Sequence, residues 1–195
     1  MTLKDIVYNL KEELGDKPYF QMTFLEALSF AKWLDKIKPK TVVELGTAYG
    51  ASGRLIQTVI PNVKLITVDL PVEENVNGKY NKYNFGRYIW VKHKEDLGKF
   101  LLDGAEIIEG DGCVLLPELI EKYNPDLVFH DSSHKFEVVT LNIKQCYEGK
   151  VPWIVIHDSH KSYLRPFMNN NDMYEEVFYM KDRAGLSVLK LKDEI

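Results

Sequence analysis

The chain has 195 residues, 45% hydrophobic and 28% charged, with a net charge of −4. These values describe one globular domain, residues 1–195, large enough to fold without disulfides or metals. They exclude intrinsic disorder and any bilayer span, which needs about 20 consecutive apolar residues, and the acidic balance speaks against a broad grip on nucleic acid.

In chain order, residues 1–38 read as a helical cap of one or two amphipathic helices, Leu3–Leu14 and Thr23–Ile37. Thr23 with Glu26 three residues on is a capping box. These helices are compatible with a homodimer. Charges in Met1–Ile6 stand where an export signal needs an apolar run, so a cytoplasmic location is expected. Cys113 and Cys146 lie outside any ligand-like spacing and read as reduced, partly buried thiols.

Five short runs follow: Val42–Leu45, Leu65–Val68, Glu106–Ile108, Leu127–Phe129 and Trp153–Ile156. They are β-branched and mostly lack alternation, which predicts strands covered on both faces. Helical spacing over 52–60, 114–123 and 136–147 joins several of them, so βαβ units and a parallel sheet are expected. Val177–Met180 and Leu186–Leu191 flank Ala184-Gly185 as a closing hairpin. The tyrosine-rich stretch 71–100, with Tyr80, Tyr83, Phe85, Tyr88 and Trp90, is a long insertion, read either as a lid over a substrate or as a structural or oligomer element. Lys79, Lys82 and Arg87 among its aromatics leave a single-stranded nucleic acid as a minority reading, which the overall acidity disfavours.

The first strand runs into Glu44-x-Gly46-x-x-x-Gly50 and then a helix. Glycines at such a turn admit a ligand to the backbone, and the helix N-terminus offers free N–H groups. The turn is not G-x-G-x-x-G, and a pyrophosphate beside a charged Glu44 would be repelled where a cationic amino acid moiety would not. A nicotinamide-dependent oxidoreductase is therefore disfavoured. Asp69, ending the second strand, stands where ribose hydroxyls are bound.

With an acid at each strand end, the sequence resembles the class I S-adenosylmethionine (SAM)-dependent methyltransferases from about Phe20 onward. The resemblance implies a Rossmann-like α/β sandwich with a seven-stranded, mostly parallel sheet of order 3-2-1-4-5-7-6. It also implies SAM as cofactor. Glu44, Gly46 and Gly50, with Thr47 and Ser52 in the same turn, would hold its methionine part. Asp69, with Leu70 beside it, would take the ribose. In Glu109-Gly110-Asp111-Gly112, Asp111 and Gly112 would meet the adenine. Asp131-Ser132-Ser133-His134 after the fourth strand and His157-Asp158 ending the fifth resemble the branch of small-molecule and sugar O-methyltransferases, which often uses a divalent cation. His130 and Ser132 depart from that pattern, where an apolar residue and Gly are commoner.

With strands four and five as neighbours, Asp131, His134, His157, Asp158 and His160 would converge at the carboxyl edge. The expectation is an O-methyltransferase of a small hydroxylated acceptor, a sugar or similar molecule. His134 would be the base and Asp131 would assist it; Asp131 and Asp158, with His157 as a weaker candidate, would ligate Mg²⁺ or another divalent cation. Other readings stay open. Asp131 could only cap its strand or touch the cofactor, His134 could make a structural hydrogen bond, and His157 could orient a neighbour. His160 and His93 read as solvated. The functional alternatives are a non-catalytic SAM-binding module, or an N-methyltransferase acting on a larger acceptor.

Overall fold

The structure, a computed structural model, describes residues 1–15, 20–73 and 91–192. Two helices lead the chain, α1 (Leu3–Leu14) and α2 (Phe24–Ile37). Both begin in capping boxes. Thr2 pairs with Asp5, and Thr23 pairs with Glu26, each side chain meeting the other residue's backbone N–H. Strand β1 (Thr41–Leu45), helix α3 (Ala51–Val59) and β2 (Lys64–Asp69) form the first βαβ unit. After a 3₁₀ turn at Lys94–Asp96 come β3 (Glu106–Glu109), α4 (Gly112–Tyr123), β4 (Leu127–His130), α5 (Phe136–Glu148) and β5 (Trp153–His157). The short helix α6 (Arg165–Asn170) and the hairpin β6 (Tyr174–Met180) and β7 (Leu186–Leu191) complete the described fold.

The seven strands lie in the order β3-β2-β1-β4-β5-β7-β6, with β7 antiparallel to both neighbours and the others parallel. This is the class I methyltransferase sandwich. Alternation along the strands divides the core in two. Val42, Leu127, Phe129 and Val155 pack with α1, α2 and α3 on one face, where the rings of Phe30 and Phe129 stack at 4.5 Å. Val43, Leu45, Val128, Ile154 and Ile156 pack with Leu116, Val139 and Ile143 of α4 and α5 on the other. Each fully buried Leu, Ile or Phe in these layers contributes about 1.5–3 kcal/mol.

Register sets up the site. Leu45 of β1 pairs with His130 of β4, which pairs with Ile156 of β5, so the carboxyl ends of the three central strands finish level. Two expectations change here. Among the described residues, strand β3 is at the sheet edge and largely exposed, with Ile107 40% accessible, because it has a neighbour on one side only and little packs over it. Helix α6 was not expected, since six residues are too few to display helical periodicity. The aromatic run Tyr80–Trp90 lies outside the described residues. The end of that insertion is described: Gly98 N–H donates to the Ala48 carbonyl and Phe100 N–H to the Tyr49 carbonyl, so it is pinned to the turn after β1.

Candidate active site

The turn after β1 is built by glycine conformation and buried hydroxyls. Gly46 has φ +104°, and a Cβ there would lie 2.3 Å from the Asp131 carbonyl oxygen. Only a residue without a side chain lets the β1 and β4 loops approach this closely. Gly50, with φ +85°, is the N-cap of α3 and offers no side-chain cap to its first N–H groups. A Gly46→Ala variant is expected to lose roughly 1–3 kcal/mol through backbone strain alone, read as a lower melting temperature.

Glu44 is fully buried beneath this turn. Its Oε1 lies 2.5 Å from the Ser52 hydroxyl and its Oε2 2.8 Å from that of Thr67, which in turn meets Thr47 Oγ1 at 2.7 Å. Burial pushes its pKa up to about 8. Its ionised form is disfavoured there relative to a carboxylate in water. Desolvation, not the turn sequence, decides its charge. Asp69 sits at the end of β2 and accepts from Ala48 N–H at 2.7 Å and from Leu70 N–H at 2.8 Å. Burial raises its pKa. Each oxygen keeps lone-pair capacity for a further donor. Asp111 caps α4 by accepting from Cys113 N–H at 2.9 Å, and Gly112 opens that helix against the Leu45 side chain.

At the ends of β4 and β5 four polar residues meet. His134 Nε2 is 2.9 Å from Asp158 Oδ2. His157 Nδ1 is 2.9 Å from Asp131 Oδ1 and 3.8 Å from Asp158 Oδ2. Asp158 holds φ +57°, a left-handed conformation that Asp adopts more readily than most residues. Burial opposes its ionisation, but His134, His157 and Lys161 together bring its pKa down to about 2. Burial likewise opposes a cationic His157, yet the carboxylates of Asp131, Glu26 and Asp158 outweigh it and hold its pKa up to about 10.

The geometry separates roles that the sequence left joined. Asp131, His134 and Asp158 each present one ligand atom within 4.8 Å of the others, a set that could receive a cation. Two carboxylates and one imidazole suit a divalent ion such as Mn²⁺, which accepts oxygen and nitrogen donors. His157 is turned elsewhere: its ring lies between Asp131 and Glu26, with Nε2 3.5 Å from Glu26 Oε2, so neither nitrogen is free for a metal. His160, expected in solvent, is half-buried and hydrogen-bonded through Nδ1 to the Ala184 carbonyl. His93 is exposed, as expected.

Two residues were missed. Glu26 was seen only as a helix cap, yet it is fully buried against His157. His130 drew notice only as a departure from a motif. It is buried at the end of β4, neither ring nitrogen has a partner at hydrogen-bond geometry among the described residues, and burial pulls its pKa down to about 4. A polar residue closing an apolar strand was the available signal. An unpartnered buried polar group costs about 1–3 kcal/mol. His130→Leu is therefore expected to raise the melting temperature, by roughly 2–4 °C for each kcal/mol recovered.

No protein-family model and no curated protein matches the sequence. Solved structures do match. The S-adenosylhomocysteine (SAH)-bound methyltransferase PaMTH1 of Podospora anserina superposes with a TM-score of 0.60 at 14% identity, over 98% of this chain and 88% of that one. Cofactor-bound Rv0187 from MTB gives a TM-score of 0.59 at 14% identity, over 98% and 90%. The O-methyltransferase from Bacillus cereus in complex with SAH gives 0.55 at 13% identity, over 97% and 90%. At these identities the likeness is one of fold, and it agrees with the strand order described above. Among the described residues, no helix is long and apolar enough to cross a membrane.

Proposed function

We propose that the protein is a SAM-dependent methyltransferase that methylates a hydroxyl oxygen of a small molecule. The observation that carries this reading is the His134–Asp158 pair, 2.9 Å apart and gathered with Asp131 one loop from the Gly46–Gly50 turn. A module that only bound the cofactor would have no use for that cluster. Structures of this fold hold SAH or a cofactor, and one is named an O-methyltransferase.

The turn suits such a cofactor on physical grounds. Backbone N–H groups at an uncapped helix start and the Asp69 carboxylate can receive amino acid and ribose groups. The acidic surroundings of Asp69 and Asp131 suit a sulfonium cation. When bound, SAM supplies a methyl group on positively charged sulfur that is open to attack by an oxygen nucleophile.

The chain's own residues must orient the acceptor and remove its proton. His134 is the base. As base, His134 leaves the cation to the two carboxylates: with Asp158 Oδ2 turned to the cation and the imidazole proton on Nδ1, His134 Nε2 is free to take the acceptor's proton. Asp131 and Asp158 would hold that cation, which lowers the cost of an oxyanion. The N-terminal helices and the 71–100 insertion then choose the acceptor.

The test is transfer of a labelled methyl group from SAM to a panel of sugars, phenols and catechols, with and without EDTA. Labelled product that disappears with EDTA and returns with Mg²⁺ or Mn²⁺ is expected. Transfer to amines and not to hydroxyls would overturn the oxygen assignment, and transfer indifferent to EDTA would remove the cation.

A further inference from the structure

We infer that Glu26 is a positioning residue of this site, acting on Asp131 through the ring of His157. The inference deepens the proposed reading and rests on Asp131 and Asp158 being the carboxylates that receive a cation.

Three remote parts of the chain meet here. Glu26 is on the first turn of α2, His157 is the last residue of β5, and Asp131 is the first residue after β4. The Glu26 carboxylate cannot rotate. Its Oε1 accepts from the backbone N–H groups of Ala184 at 2.8 Å and Gly185 at 2.9 Å, and its Oε2 accepts from Thr23 N–H at 2.8 Å. The residue has no solvent exposure. His157 Nε2 faces this fixed carboxylate at 3.5 Å while Nδ1 faces Asp131 Oδ1 at 2.9 Å. An imidazole whose far nitrogen is anchored has its ring plane set, and it sets the group on its near nitrogen.

Helix capping alone requires only the bond between Glu26 and Thr23 N–H. Fastening the Ala184-Gly185 turn requires only an acceptor, which any amide would provide. Neither duty explains why a carboxylate is aimed at a buried histidine whose other face meets the site. The arrangement commits one Asp131 oxygen to His157. The other makes no hydrogen bond among the described residues. Asp131 is thus held with one oxygen spoken for and one available, beside the His134–Asp158 pair.

The experiment measures Mn²⁺ affinity by titration, with the Mn²⁺ electron paramagnetic resonance signal as readout, in four full-length variants alongside the wild type. Glu26→Gln and His157→Gln are each expected to weaken Mn²⁺ binding about 10- to 100-fold while SAH affinity is unchanged. The double variant should lose no more than His157→Gln alone, because the two residues act in series. Thr23→Ala breaks the cap of α2 without touching His157, so it should lower the melting temperature and leave Mn²⁺ affinity intact. Wild-type affinity in Glu26→Gln, additive losses in the double variant, or equal weakening by Thr23→Ala would each overturn the inference. Should Glu26→Gln not fold, Glu26→Asp, which keeps the charge but withdraws it from His157 Nε2, takes its place with the same expected weakening, and wild-type Mn²⁺ affinity in it would equally overturn the inference. A wild type that binds SAH but no Mn²⁺ would instead remove the cation site beneath it.

Discussion

A His134→Ala variant is expected to transfer methyl groups about 10²–10⁴-fold more slowly than the wild type and to bind SAH with unchanged affinity. The size follows from the chemistry. An alcohol attacks poorly until its proton leaves, and His134 is the imidazole whose Nε2 lies in the cluster, 2.9 Å from Asp158 Oδ2. Unchanged SAH affinity follows from position, since the residues that would hold the cofactor are in the β1 turn and at the end of β2. The check is single-turnover transfer at saturating SAM, with binding measured separately. Asp158→Asn should lose a large part of the rate as well, because an amide can orient His134 but neither supports its charge nor holds a cation. Full turnover in His134→Ala would contradict its assignment as base.

His157→Ala is expected to cost the fold about 3–5 kcal/mol, the usual consequence of leaving a buried charge without its partner. Glu26 would keep its three backbone donors but face an empty space where the imidazolium stood. The pH dependence gives the sign. His157 has its folded pKa raised to about 10 against an ordinary 6.5, so its stabilisation is complete below about pH 6.5 and is lost as pH rises through 10. Glu26 has its folded pKa lowered to about 2, so its contribution is present above about pH 4.5 and is lost as pH falls through 2. The stability gap between wild type and His157→Ala should therefore be widest between these limits and narrow from pH 6.5 toward 10. Chemical denaturation at several pH values measures it. A gap that widened with rising pH would mean that His157 is neutral in the folded protein.

The strands were legible because burial on both faces leaves a direct mark on composition; their order came from the resemblance carried by the Glu44–Gly50 turn and the acids ending the strands. A central parallel strand such as Val42–Leu45 has no solvent side and so shows no polar alternation. The glycine turn was legible because Gly46 and Gly50 stand where backbone geometry admits little else. The site was legible in part. Asp131, His134, His157 and Asp158 could be brought together once strands four and five were neighbours, and the structure does bring them together.

What could not be read was which group each side chain would face. His157 was weighed as a ligand because Glu26 is 131 residues away in sequence and its capping role already accounted for it. The raised pKa of Glu44 was out of reach for a related reason. Charge follows from desolvation, and desolvation depends on everything packed around the group. Strand β3 was taken as covered although Glu106 and Glu109 bracket two isoleucines, the one available hint that it lies at an edge.

The central claim is that the Gly46–Gly50 turn and Asp69 hold SAM, and the most direct measurement is calorimetric titration of SAH into the folded wild-type protein. Saturable binding at one site per chain is expected, with a matching gain in thermal stability of about 2.7 kcal/mol when the ligand is at a hundred times its Kd. Asp69→Ala should bind SAH more weakly. No binding heat and an unchanged melting temperature up to millimolar SAH, in a protein that is folded, would contradict the account.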